Sequence, residues 1–281
     1  MPSRSWYRAV GLIATLGLSA CGGDDAPETT YLFGLSYGSD SVWLTPEGGI
    51  DSTSPSRFLS ADGLRFSVET LKYRLAELRM DLPPEVRCED YAEVLLPELS
   101  CENSVPNTQV PRDIFDFPED PPGKLHLRGP VEAGTDTPLS IGGKQVFIPR
   151  TYYRAIDSRW DPGTPEHPSF LLRASFTYQE RPLVLEVVFQ SEEPLRFSHL
   201  GVSTGLPEEF ADHPAVFGGR LLVDRWLWDV DISSCLATGD LTLDGEVLRL
   251  ETGRGACADA ATKLRRNIQD SGDLYTGLRI R

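Results

Sequence analysis

Alternation of apolar and polar side chains is the dominant pattern along this chain. From Ser169 to Gln190, Phe170, Leu172, Ala174, Phe176 and Tyr178 alternate with Leu171, Arg173, Ser175 and Thr177. After Gln179-Glu180-Arg181-Pro182 a second run puts Leu183, Leu185, Val187 and Phe189 on one face. A side-chain period of two on both sides of a short polar turn predicts a β-hairpin. Lys144–Ile156 is another β-rich run of aromatic and branched residues. Leu221–Ile232 also alternates and predicts a strand with Asp224, Trp226, Trp228 and Val230 on one face. Leu241–Leu250 predicts a small hairpin turning at Asp244-Gly245. Gly63–Met80 fits two periods. Leu64, Phe66 and Val68 alternate as in a strand, whereas Val68, Leu71, Leu75 and Leu78 match one face of a helix. The first half is expected to be strand and the second is left open. Ala258–Gln269, with Ala260, Ala261, Leu264 and Ile268 on one side, is the expected helix.

Between these runs lie polar, proline-containing stretches: Thr108–Gly123, Ser158–Pro168 and Leu206–Pro214. They read as loops. The 25 Gly and 22 Pro supply many turns, and 40% hydrophobic residues are enough for a core. Many strands spaced by Gly/Pro turns predict an all-β fold: an antiparallel β-sandwich with long Pro/Gly-rich loops and a short C-terminal helix. One main domain is expected over residues 31–281, with residues 108–123 as the place for a sub-boundary. No internal repeat is visible.

The N-terminus has a different character. Met1–Arg8 is short and basic, and Ala9–Ala20 is an apolar run of about a dozen residues, too short to span a bilayer. It closes with Leu18-Ser19-Ala20-Cys21. This segment resembles the lipobox of bacterial lipoproteins. The resemblance implies a signal peptide over residues 1–20 and a mature N-terminus at an acylated Cys21. The membrane is then a partner through the lipid anchor. Gly22, where that family commonly carries Asp for inner-membrane retention, implies the outer membrane. Residues 21–30, polar and rich in turn formers, read as a flexible tether. The whole chain carries a formal charge of −15. Loss of Arg4 and Arg8 leaves 25 Lys+Arg against 42 Asp+Glu, a mature charge of −17. That field argues against nucleic acid as a partner.

With Cys21 assigned to lipid, Cys88, Cys101, Cys235 and Cys257 remain, an even number suited to an oxidising compartment. Of the three connectivities, the local pairs Cys88–Cys101 and Cys235–Cys257 are expected. The first closes a Pro-rich loop, and the second clips a hairpin to the segment after it. Each loop closure contributes about 3 kcal/mol. No C-x-x-C spacing points to a metal.

Two segments of the second half, GGKQVFIPRTYYRAIDSRWDP and RLLVDRWLWDVDISSC followed by ADAATKLRRNIQDS, resemble a loose group of bacterial β-sandwich lipoproteins. That resemblance implies an exported β-sandwich and no particular activity. GLRFSVETLKYRLAELRM is faintly similar to the opening of periplasmic copper-binding proteins, but lacks the His ligands on which those rely.

Few residues suggest chemistry. Gly201-Val202-Ser203-Thr204-Gly205 matches the nucleophile elbow G-x-S-x-G, yet no parallel α/β pattern surrounds it, and Ser203 reads as part of a turn. Asp229, Asp231 and Ser233 begin like a calcium loop, and Asp240 stands at position twelve from Asp229; Ser234 occupies the place where such a loop needs Gly. His167 and His213 each precede Pro in acidic loops, and two such loops at one end of a sandwich would hold a transition metal. Trp226 and Trp228 are either core residues or, at an edge, a platform for a glycan or a protein of the envelope. The expectation is a membrane-anchored, non-enzymatic binding or envelope interaction module. The alternative is a metal-binding protein or metal-assisted hydrolase that uses His167, His213, Asp229 and Asp231.

Overall fold

The computed structural model describes residues 29–40, 56–105, 121–134, 139–199 and 215–278. The first strands are β1 (Thr30–Gly38), β2 (Arg57–Leu59), β3 (Arg65–Leu82), β4 (Leu99–Glu102) and β5 (Gly123–Gly134). A short hairpin follows, β6 (Ser140–Ile141) with β7 (Lys144–Gln145), then β8 (Phe147–Pro149), β9 (Ala155–Trp160), β10 (Phe170–Tyr178), β11 (Arg181–Phe189) and β12 (Pro194–Ser198). The last part contains β13 (Ala215–Leu222), helix α1 (Ile232–Thr238), β14 (Leu243–Asp244), β15 (Val247–Leu248), helix α2 (Ala260–Gln269) and β16 (Gly272–Leu278).

The strands form two main sheets. The smaller has the order β16-β13-β1-β8. The larger runs β12-β9-β3-β10-β11-β15-β14, with β2 and β5 on the other edge of β3 and β4 outside β5. The fold is therefore all-β and sandwich-like with a short C-terminal helix. Most neighbours are antiparallel; β1–β13 and β11–β15 are parallel.

Strand β3 is the spine of the larger sheet, and it resolves the double period of Gly63–Met80. Its core-facing positions are Phe66 and the half-buried Val68, then Leu71, Tyr73 and Leu75, then Leu78, Met80 and Leu82. Within each group the step is two. The steps of three fall at Glu69, opposite the register shift between Arg173 and Ala174, and at Ala76, where the register shifts between Leu75 and Glu77. Each extra residue returns the next apolar side chain to the core face. Two bulges in a strand thus mimic the i, i+4, i+7 signature of a helix.

The expected hairpin is β10–β11. Its turn is tighter than the sequence suggests: Tyr178 pairs with Arg181, and only Gln179 and Glu180 form the loop, both with positive φ (48° and 64°). This is the backbone demanded by a two-residue turn that matches strand twist. The run Lys144–Ile156 is not one strand. It is split into β7, β8 and the start of β9, and Tyr153 lies buried between them with its hydroxyl donating to Pro149 O at 2.8 Å. Ser158–Trp160 belongs to β9 rather than to the polar loop, because Trp160 is a core residue packed on Tyr73, Phe170 and Phe189. The Leu241–Leu250 hairpin is present as β14–β15, and the expected helix as α2.

The two sheets share one core. Tyr73 of β3 reaches across it to donate to Ser36 O of β1 at 3.0 Å. Where β12 crosses the smaller sheet, glycines permit the contact. A Cβ on Gly219 would sit 2.7 Å from the Phe197 ring, and one on Gly272 would collide with the Arg196 carbonyl oxygen. Both spacings are closer than a side chain tolerates.

Candidate functional site

Leu221–Ile232 is where structure departs most from the alternating pattern. β13 ends at Leu222, a single 3₁₀ turn follows at Val223–Arg225, and tight turns lead into α1. Past the end of β13 the buried residues are Val223, Trp226, Leu227, Val230 and Ile232. The three-to-four spacing of Val223, Trp226, Leu227 and Val230 is that of a coiled backbone, not a strand. Trp226 and Trp228 consequently point to different environments. Trp226 is fully buried against Phe58 and Phe170, whereas Trp228 is 64% exposed.

Helix α2 holds this segment in place. Its apolar face of Ala260, Leu264 and Ile268 is buried, and Asn267 beside them is only 6% exposed. Asn267 Nδ2 donates to Trp226 O at 3.0 Å and to Asp229 Oδ1 at 2.6 Å. The Trp226 indole donates to Ser271 Oγ at 3.1 Å, and Ser271 in turn donates to Ile268 O. Arg266 Nη2 meets the other oxygen of Asp229 at 3.1 Å. Between the turn and the helix lies a cleft of about 450 Å³ lined by Asp224, Arg225, Trp228, Arg266, Asn267 and Asp270. Such volumes suit small ligands or single units of a polymer. Two carboxylates and two guanidinium groups line it, and one of the guanidinium groups, Arg266, is already paired with Asp229. Both amide hydrogens of Asn267 are engaged. Asp224, Trp226 and Trp228 were visible in the sequence as a group. Arg266, Asn267 and Asp270 come from a helix some forty residues later, and no local signal links them to it.

The calcium-loop reading of Asp229 and Asp231 is not realised. Asp229 is committed to Asn267 and Arg266, and Asp231 stands at the start of α1, its carbonyl accepting from Cys235 N. Asp229, Asp231, Asp240 and Asp259 do line one small cleft of about 130 Å³ together with Lys263. Among the described residues, however, no three His, Cys, Asp or Glu side chains converge as metal ligands. His167 is exposed in a turn, with its backbone N–H donating to Thr164. His213 and Ser203 lie outside the described residues, as does Cys21.

Both disulfides form as expected. Cys88–Cys101 joins a 3₁₀ turn to β4, with Cα atoms 5.7 Å apart. Cys235–Cys257, with Cα atoms 6.0 Å apart, joins α1 to the turn just before α2 rather than to a hairpin. It therefore ties the helix that follows the Trp228 turn to the turn that precedes α2.

A second polar cluster lies on the outer face of the larger sheet. Glu77 accepts from Arg79 at 2.8 Å, meets His126 Nε2 at 3.2 Å and faces Arg159 at 3.4 Å. Burial pushes its carboxyl up, but the hydrogen bond and charge of Arg79, the charge of Arg159 and the His126 contact outweigh it, so the carboxyl titrates below its ordinary value. The nearby hydroxyls are turned to backbone carbonyls: Ser100 donates to His126 O and Ser158 to Glu77 O. The cluster ties β3, β5 and β9 together.

Comparison with protein-family models, with curated proteins and with solved structures finds no match.

Proposed function

We propose that this chain is an exported lipoprotein of the cell envelope, anchored to the outer membrane through Cys21, that acts by binding at the Trp228 cleft. The lipobox-like Leu18–Cys21 and the polar tether support the anchor. Several acyl chains, each buried CH₂ contributing about 0.8 kcal/mol, hold such a protein on a membrane almost permanently. The observation that carries the binding role is Trp228: a large aromatic ring 64% exposed on a cleft whose other walls are polar side chains of the 3₁₀ turn and of the C-terminal end of α2. Rigid aromatic area beside fixed hydrogen-bonding groups is what a binding surface needs and what a core does not.

The test has two arms. Cys21→Ala should abolish acyl mass on the protein and release it from outer-membrane fractions on a density gradient. Acylated, membrane-bound Cys21→Ala protein would overturn the anchor. Purified non-acylated chain should sediment with delipidated envelope material, and its Trp228→Ala variant should not. Equal sedimentation of the two would overturn the binding role of the cleft.

A further inference from the structure

We infer that the ligand of the Trp228 cleft is a neutral glycan, a pyranose ring stacked on the indole with its hydroxyls held by the polar wall. This deepens the binding role proposed above and rests on it. One face of a pyranose carries axial C–H groups and is apolar; its equatorial hydroxyls both donate and accept in the ring plane. The cleft offers the complement. The Trp228 ring is the only large apolar surface on its lining, and aromatic faces provide binding area at little entropic cost. Around it stand carboxylate acceptors (Asp224 and Asp270) and planar donors (Arg225, Arg266). Donors and acceptors thus share one cleft, as the hydroxyls of a sugar require.

Charge separates this class from its rivals. A phosphate or uronic acid would meet Asp224 and Asp270, and an ammonium or guanidinium would meet Arg225 and Arg266. An uncharged polyol opposes neither sign and leaves the existing Arg266–Asp229 pair intact. The wall is also built in advance. Asn267 is fixed by two hydrogen bonds and Arg266 by Asp229, and the Cys235–Cys257 bond links the helix after the Trp228 turn to the turn before α2. Prior ordering lowers the cost of holding a flexible saccharide.

The full acylated chain, in a sugar-free detergent, is titrated with cellohexaose, maltohexaose and chitohexaose. Oligogalacturonate and a chitosan hexamer serve as acidic and cationic comparators. Calorimetry and tryptophan fluorescence report binding. At least one neutral hexasaccharide should bind and shift the fluorescence, and Trp228→Ala should weaken it about tenfold or more. Asp270→Ala, on the exposed end of α2, should weaken it severalfold without changing the urea midpoint. No neutral binding, binding unaffected by Trp228→Ala, or a charged comparator bound more tightly would overturn the inference. If sugars fail while Trp228-dependent envelope sedimentation persists, the ligand is a protein or a charged polymer, and the glycan assignment alone falls. If both fail, the cleft is not the binding site.

Discussion

Asn267→Ala tests whether one buried amide organises the candidate site. Both of its hydrogens are used, one on Trp226 O at 3.0 Å and one on Asp229 Oδ1 at 2.6 Å. A buried neutral hydrogen bond contributes about 1 kcal/mol net, and one to a charged group about 1.5–3 kcal/mol. The Trp226 carbonyl is left without that donor, whereas Asp229 keeps Arg266. We expect a loss of about 3 kcal/mol in unfolding free energy. Asn267→Asp keeps the shape but neither donates at neutral pH nor avoids a second carboxylate beside Asp229, so its loss should be at least as large. Urea unfolding followed by circular dichroism and by tryptophan fluorescence provides the measurement, because Trp226 and Trp228 flank the bond. A loss below about 1 kcal/mol for Asn267→Ala would refute the argument, since surface substitutions already reach half of that. A loss for Ala but none for Asp would show that shape, not donation, holds the turn.

The hairpin turn offers an independent check. Gln179→Asn with Glu180→Gly puts the residues that favour positive φ where φ is 48° and 64°, and should raise stability by about 1 kcal/mol in the same urea assay; an unchanged or lowered midpoint would contradict the turn geometry. Glu77→Gln probes the outer-face cluster through pH. Because the folded carboxyl titrates below its ordinary value, its contribution is complete above that value and is lost as pH falls through the folded pKa. Thermal melts should therefore show wild type ahead of Glu77→Gln at neutral pH and the two converging in acid; a constant gap across the range would refute the assignment.

Local signals in the chain reached a long way. The β10–β11 hairpin was legible because one side of each strand is buried and the other is not, which writes a period of two into the residues themselves. Helix α2 was legible for the same reason at its own period. Disulfide pairing was legible because short loops bring cysteines together without help from the rest of the fold. β3 was only half legible. Its two bulges depend on what Arg173, Ala174 and Trp160 do on neighbouring strands, and those partners are distant in sequence. The alternation of Leu221–Ile232 misled because Asp224, Trp226, Trp228 and Val230 keep a period of two by coincidence, while burial there follows Val223, Trp226, Leu227 and Val230.

What the residues determined by themselves is the class of fold, the hairpin, the helix and the cysteine pairs, all consequences of spacing along the chain. What only tertiary structure decided is which tryptophan is core and which is surface. Trp226 is drawn inward because Phe58, Phe170 and the Ser271 hydroxyl converge on it from three separate parts of the chain. Trp228, two residues away, is left outside because the backbone between them turns instead of extending. The polar wall beside it comes from α2, whose apolar stripe dictates that Asn267 and Arg266 face this turn. Such a site has no signature in sequence, since its members are brought together by the burial of other residues.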